Sequence, residues 1–304
     1  MRLGVDLGGT KIAAIVLSDA GGSLWEARRP TPQGDYDATL ERIVELVAEG
    51  ERAVSATCSV GIGMPGAISP ATGLVKNANS TWLNGRAFHA DIERRLARPV
   101  RIANDANCLA VSEAVDGAAA GAAVVFGVIL GTGVGGGIAV RGAAVRGANA
   151  VAGEWGHNPL PWPDEDERPG RPCYCGRPGC IETFLSGPGF AADYEARSGR
   201  RASADQIAAS IGDDPIARKT LEIWERRLAR SLATVINLLD PDVIVVGGGL
   251  SQIESIYEHV PQQWNEWVFS DRVDTRLVRA RFGDASGVRG AAWLWQTAEG
   301  FVLP

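Results

Sequence analysis

Leu3-Gly4-Val5-Asp6-Leu7-Gly8-Gly9-Thr10 and Phe126-Gly127-Val128-Ile129-Leu130-Gly131-Thr132-Gly133 are the two stretches that decide the fold. Each is an apolar run that ends in glycines. Each is followed by a further apolar run, Ile12–Leu17 in the first case and Gly137–Arg141 in the second. Short apolar runs broken by glycine read as strands joined in a hairpin. The echo between the halves points to a duplicated unit. Outward from the first hairpin, a third strand is expected near Ser23–Arg28. Leu40, Ile43, Val44 and Val47 give Tyr36–Arg52 the spacing of an amphipathic helix. Strands at Ser59–Gly63 and Val100–Ala103 flank a helix around Ala90–Leu96. Outward from the second hairpin, an irregular Pro/Gly/Cys-rich segment spans Pro159–Gly179. A long helix over Pro215–Leu239 then leads to a buried strand at Val243–Val246. Strand and helix alternating in this way is the signature of an α/β fold.

Composition bounds the partners. The chain has 304 residues, 45% hydrophobic and 22% charged, enough apolar material for two packed cores. A formal net charge of -6 and a pI near 5.3 argue against a nucleic-acid surface, which needs an excess of Lys and Arg. A charged residue follows Met1 before any signal-like apolar stretch, and no 18-residue apolar run exists. The expectation is a cytoplasmic protein with no membrane partner, whose cysteines stay reduced.

The Walker A pattern is absent, because no Gly-Lys-Ser/Thr occurs. A G-x-G-x-x-G match at Gly131, Gly133 and Gly136 reads as accidental, since a dinucleotide loop must open a helix and the residues after it look like strand. What remains is a set of glycine turns: Gly8, Gly9 and Thr10 with Lys11; Gly131, Thr132 and Gly133; and Gly247, Gly248 and Gly249. Glycines let backbone amides approach an anion closely. Any one of these alone also reads as a plain tight turn. Three in one chain favour a nucleotide.

The strand at Val100–Ala103 ends at Asn104-Asp105-Ala106-Asn107, with a helix expected from Cys108. Side chains at the end of a central strand project to where α/β sheets bind ligands. Asp105 is placed there to take a proton from an attacking hydroxyl, help worth roughly 10²- to 10⁴-fold. It is placed equally well to cap the helix. Farther on, His157, Cys173, Cys175 and Cys180 supply one imidazole and three thiolates, a tetrahedral zinc complement with no open position, hence a structural ion. A redox pair is the competing reading. Cys58 and Cys108 read as core thiols. Glu154 and Glu182 flank the cluster, either as acceptors for sugar hydroxyls or as solvated surface carboxylates.

Taken together, Asp6–Lys11 (DLGGTK), Lys76–Gly85 (KNANSTWLNG), Asn104–Cys108 (NDANC), Leu130–Gly133 (LGTG), Gly153–His157 (GEWGH), Cys173–Glu182 (CYCGRPGCIE), Asp240–Gly249 (DPDVIVVGGG) and Ser286–Trp295 (SGVRGAAWLW) resemble the ROK family of bacterial sugar kinases, most closely its fructokinases. The resemblance implies a two-lobed, actin-like fold of the ribonuclease H type with a zinc-bound loop. One lobe would cover 1–118, joined by a C-terminal helix 287–304; the other would cover 119–286 and carry the zinc segment 157–180. Each lobe would offer one hairpin turn to ATP in the cleft. By the same resemblance Asp105 is the general base, while Asn79, Asn104, Asp105, Glu154, His157 and Glu182 contact the sugar. His157 would serve zinc with one nitrogen and sugar with the other. Gly8, Gly9, Thr10, Lys11, Gly131, Thr132, Gly133, Gly247, Gly248 and Gly249 would hold the nucleotide. The implied cofactors are ATP, Mg2+ and structural Zn2+, and the implied assembly is a homodimer. Lys76–Gly85 tilts the substrate toward fructose, with glucose, mannose and N-acetylglucosamine as alternatives. A sugar-sensing repressor of this family would need a DNA-binding segment ahead of the first strand, which starts at residue 2. A non-catalytic sugar module would not need Asp105.

Overall fold

The structure is a computed structural model that describes residues 1–295. In chain order its elements are β1 (Arg2–Leu7), β2 (Lys11–Leu17), β3 (Ser23–Pro30), α1 (Tyr36–Val54), β4 (Ser59–Met64), β5 (Ala67–Ile68), β6 (Val75–Lys76), α2 (Phe88–Leu96), β7 (Val100–Asn104) and α3 (Asp105–Val115). There follow β8 (Val124–Leu130), β9 (Val134–Val140), β10 (Ala143–Ala144), α4 (Glu182–Leu185), α5 (Gly187–Ser198), α6 (Ala204–Ser210), α7 (Pro215–Leu239), β11 (Val243–Gly247), α8 (Ile256–Gln262), β12 (Arg276–Arg279) and α9 (Ser286–Trp293).

Duplication is plain in the topology. One five-stranded sheet has the order β3-β2-β1-β4-β7 and another the order β10-β9-β8-β11-β12. In the first, β1 pairs antiparallel with β2 and parallel with β4, and β4 runs parallel to β7. In the second, β8 runs parallel to β11 and β11 to β12. Both are therefore hairpin-led sheets that continue into parallel strands. Parallel strands are buried on both faces, which explains the unbroken apolar burial of Val243–Gly247.

Chain contacts group the residues into two units. One holds Met1–Gly121, Gly137–Ala152 and the stretch starting at Asp284; the other holds Ala122–Gly136 and Gly153–Gly283. Residues 137–152, beyond the boundary expected near residue 119, thus group with the first unit. In that unit α1 is capped by the Asp35 side chain, which accepts from the Ala38 amide at 3.0 Å. It buries Leu40, Ile43, Leu46 and Val47, each worth about 1.5–3 kcal/mol when fully buried. α9 lies so close to the first sheet that a Cβ on Gly4 would fall 2.1 Å from the Val288 carbonyl, and one on Gly61 1.9 Å from the Ala291 carbonyl. Only glycine allows that approach. The C-terminal helix expected over 287–304 is described as Ser286–Trp293, and the part of that expectation covering 296–304 lies outside the described residues.

In the second unit the Pro/Gly-rich segment has few apolar residues to bury, and ion pairs hold it instead. Arg227 bridges Glu167 at 2.6 Å and Asp193 at 2.5 Å, Arg230 also binds Glu167, and Arg171 reaches Asp193 at 2.7 Å. These side chains tie the segment to α5 and α7. Losing one partner of such a buried set costs about 3–5 kcal/mol, because the other charge is stranded. Among the described residues no helix is long and apolar enough to cross a membrane.

Candidate active site and metal cluster

In the first unit the turn between β1 and β2 is closed by the Gly8 amide donating to the Lys11 carbonyl at 3.0 Å. Its other carbonyls are occupied. Thr31 Oγ1 donates to Gly8 O at 2.8 Å, Gln33 Nε2 to Gly9 O at 2.9 Å, and the Thr31 amide to Thr10 O at 3.0 Å. The amides of Gly9 and Thr10 have no acceptor among the described residues. A turn with satisfied carbonyls and spare amides is polarised for an anion. Lys11 adds a cation, held 3.3 Å from Asp284.

The helix after β7 begins at Asp105 rather than at Cys108, because Asn104 takes the cap position and accepts the Ala106 amide at 2.9 Å. Asp105, equally placed by the sequence as base or as cap, is the first helical residue, and its Oδ1 also accepts the Ala106 amide at 2.9 Å. Asn104 Nδ2 also donates to Gly66 O at 3.3 Å. The loop bearing Asn79 is fixed by Asn84, whose amide makes two 2.9 Å hydrogen bonds to the backbone of Ala78. Asn79 itself is exposed, and its side chain has no partner among the described residues.

Asp6, present in the sequence as part of the DLGGTK motif, is a strongly perturbed carboxylate of this unit. Burial, then the charge of Asp105, push its carboxyl up to about 7. Gly63 and Gly287 leave it room, since a Cβ on Gly287 would stand 3.3 Å from Asp6 Oδ2. The signal was available: an acid inside an otherwise apolar strand is rarely there for packing.

In the second unit β9 starts at Val134 rather than at Gly137, which confirms that the G-x-G-x-x-G match opens a strand and not a helix. The turn before it is closed by the Gly131 amide donating to Gly133 O at 3.0 Å. Thr132 and Gly133 amides have no acceptor among the described residues. Glu182 is no simple surface carboxylate, because its Oε2 accepts the Val134 amide at 2.9 Å and so braces this turn. Gly248, with φ +85°, passes so near Leu130 O that a Cβ would fall 2.4 Å from it; Gly249 and Gly131 face open space.

Trp155 anchors the strip from Gly153 to His157, with its indole N–H donating to Gly135 O at 3.0 Å and its ring edge-on to Phe126. Glu154 is exposed. His157, Cys173, Cys175 and Cys180 converge, their ligand atoms all within 4.8 Å of one another. Cys175 and Cys180 sulfurs are 3.5 Å apart, and His157 Nδ1 is 3.6 Å from Cys173 Sγ. A tetrahedral zinc with bonds of about 2.3 Å to sulfur needs edges of about 3.8 Å. The residues fit the ion. Burial pushes the Cys180 thiol up to about 12, whereas the Arg177 amide lowers Cys175; a bound cation supplies the charge that ionises all three thiols. Cys58 and Cys108 are buried as core thiols.

One contact was not foreseen. His157 Nε2, the nitrogen expected to face a sugar, lies 2.9 Å from the Tyr174 hydroxyl, with the two rings edge to face at 5.1 Å. Burial, then Glu182, Cys173 and Glu154, push that hydroxyl up to about 12. Tyr174 stands between two metal-binding cysteines, a position that ligand spacing alone makes look like filler.

The sequence profile of the ROK family matches residues 2–298. A protein named N-acetyl-D-glucosamine kinase from Escherichia coli O1:K1 / APEC is 41% identical over 302 residues, 98% of this chain and 100% of that protein. Among solved structures, a ROK hexokinase from Thermus thermophilus aligns with a TM-score of 0.85 at 29% identity, over 96% of this chain and 97% of that one. A ROK family glucokinase from Streptomyces griseus, in complex with glucose and AMPPNP, aligns with a TM-score of 0.76 at 28% identity, over the same shares.

Proposed function

The chain belongs to the ROK family and has its two-lobed, actin-like α/β fold, and from that premise we propose that it is an ATP-dependent sugar kinase whose acceptor is N-acetyl-D-glucosamine. The observation that carries the kinase reading is the pair of hairpin turns whose carbonyls are pinned and whose amides are spare. Phosphoryl transfer passes through a loose transition state, so the protein mainly positions reactants and neutralises charge. In this reading the amides of Gly9, Thr10, Thr132 and Gly133 and the Lys11 ammonium take phosphate oxygens, and Gly247, Gly248 and Gly249 pass beside the rest of the nucleotide. Asp105 accepts the proton of the sugar 6-hydroxyl. Asn79, Asn104, Glu154, His157 and Glu182 bind the other hydroxyls. Mg2+ supplies charge neutralisation on the ATP phosphates when bound, and Asp6 is the carboxylate beside the first turn that a cation would favour in its ionised form. Zn2+ held by His157, Cys173, Cys175 and Cys180 stiffens the segment that carries Glu182.

The acceptor is chosen on the 41% identical relative, whose name specifies N-acetyl-D-glucosamine. Fructose, the expectation drawn from Lys76–Gly85, has no such support and becomes the second reading. Coupled ADP detection with N-acetylglucosamine, glucose, mannose and fructose tests both. The expected result is the highest kcat/KM for N-acetylglucosamine, because discrimination lives in that ratio. A higher value for another sugar would overturn the substrate, and no sugar-dependent ADP release would overturn the kinase.

A further inference from the structure

We propose that the cavity bounded by the Pro/Gly-rich segment, α5 and α7 is a binding site for a small phosphate monoester, separate from the glycine turns. It lies wholly within the second unit and shares no residue with the proposed nucleotide and sugar contacts.

The cavity has a volume of about 420 Å³, in the range of small-molecule sites. Arg168 and Arg171 line it from the segment, Arg197 from α5 and Arg227 from α7. Asp166, Glu167 and Asp193 line it too, and the two buried ones are already spent. Glu167 accepts from Arg227 Nε at 2.6 Å and also from Arg230, while Asp193 accepts from Arg227 Nη1 at 2.5 Å and from Arg171 Nη2 at 2.7 Å. Asp166 is exposed, where water and salt screen its charge.

What the network leaves over is a set of donors. The Arg227 side chain is only 4% exposed, yet its Nη2 has no hydrogen bond among the described residues. That nitrogen is not sealed in the interior, as the unpartnered Nε of Arg230 is. Arg171 spends Nη1 on the Thr183 and Gly189 carbonyls, both at 3.0 Å, and Arg168 spends Nε and Nη2 on Pro163 O; Nε of the first and Nη1 of the second have no hydrogen bond among the described residues. Arg197 has no ion pair or hydrogen bond among them at all. A network that served the fold alone would have no use for these donors, and a buried one left unpaired is costly. The Phe184 ring holds two of the guanidinium groups in place, with Arg227 Cζ 5.0 Å and Arg171 Cζ 5.5 Å from its centroid. Fixed planar forks that converge from three elements suit phosphate, which offers three terminal oxygens where a carboxylate offers two. The room beside such a group, with an aromatic ring on its wall, suits an organic ester better than the bare anion.

The test is calorimetric titration of the parent protein with glycerol 3-phosphate, inorganic phosphate and malonate. Excess ADP and Mg2+ keep the glycine turns from being the site read, and glycerol 3-phosphate has no hexose ring to enter a sugar site. One equivalent of the ester is expected to bind. Arg197→Glu reverses an exposed charge, so its melting temperature and its kcat without the ester are expected to match the parent, while its affinity for the ester falls at least about tenfold. Arg197→Lys, which keeps the charge, is expected to retain most of the affinity. No binding by any of the three probes, or binding that Arg197→Glu leaves within about twofold, would overturn the site. Tighter binding of malonate would overturn the phosphate class, and inorganic phosphate binding as tightly as glycerol 3-phosphate would overturn the ester. Sugar-dependent ADP release is a separate readout, so loss of the kinase reading would leave this site standing.

Discussion

The two glycine turns are copies in topology and opposites in support. Gly8–Lys11 is held by its own neighbours, with Thr31 and Gln33 pinning its carbonyls from the next strand onward. Gly131–Gly133 is held from far along the chain, by Glu182 on Val134 and by the Gly187 amide on Gly131 O at 2.7 Å. The first of these braces, Glu182, lies just past Cys180, at the end of the segment that carries the cysteine cluster. The first unit carries instead two carboxylates, Asp6 and Asp105, whose charges bear on each other. Duplication thus preserved the strand order while dividing the candidate chemistry: the proposed base in one unit, the four residues that fit a metal in the other.

That division can be broken most decisively at Asp105. Asp105→Asn is expected to lower kcat at least about a hundredfold with zinc content and melting temperature unchanged; near-normal turnover would remove reactivity from the first unit. The next effect belongs to the second unit. Cys175 is exposed, so Cys175→Ser leaves no core void and should act by releasing zinc. We expect a melting temperature lower by on the order of 5 °C and a sugar KM raised about tenfold, with the ion pairs of Glu167 and Arg227 keeping the fold. A metal-to-protein ratio that stays at one would contradict the cluster. The smallest effect sharpens the electrostatics of the first unit. A carboxyl raised to about 7 binds its proton more tightly folded than unfolded, so stability declines as pH climbs from about 4 to about 7. Asp6→Asn should therefore be more stable than the parent at pH 8 without nucleotide, by on the order of 4 kcal/mol, and equal to it at pH 4. A difference that does not vary with pH would return Asp6 to an ordinary acid.

Much of this was legible in the residues alone. The hairpins announce themselves by apolar runs ending in glycine, α7 by its period and its Asp214 cap, and the metal cluster by residue type, since three cysteines and a histidine in a core-poor segment have few other uses. Asp105 was legible as a position but not as a role. Asn104 and Asp105 both accept the Ala106 amide, and only the backbone shows that Asn104 holds the cap position while Asp105 opens the helix. Glu182 was legible as a candidate sugar acceptor but not as a brace, because nothing near it in the chain reveals the Val134 amide it binds. The fructose expectation leaned on one loop, whose exposed Asn79 any hexose hydroxyl would satisfy.

Local pattern determined the elements, the twofold repeat, the ligand set of the cluster and the carboxylate at the strand end, because strand period, glycine turns and ligand chemistry act over a few neighbouring residues. Tertiary structure alone decided that burial lifts the Asp6 carboxyl to about 7, that Glu182 braces a turn and that the Tyr174 hydroxyl lies against Nε2 of His157. Each of those depends on burial or on a contact between residues distant in the chain, and electrostatics and hydrogen bonding respond to distance in space, which sequence spacing does not encode.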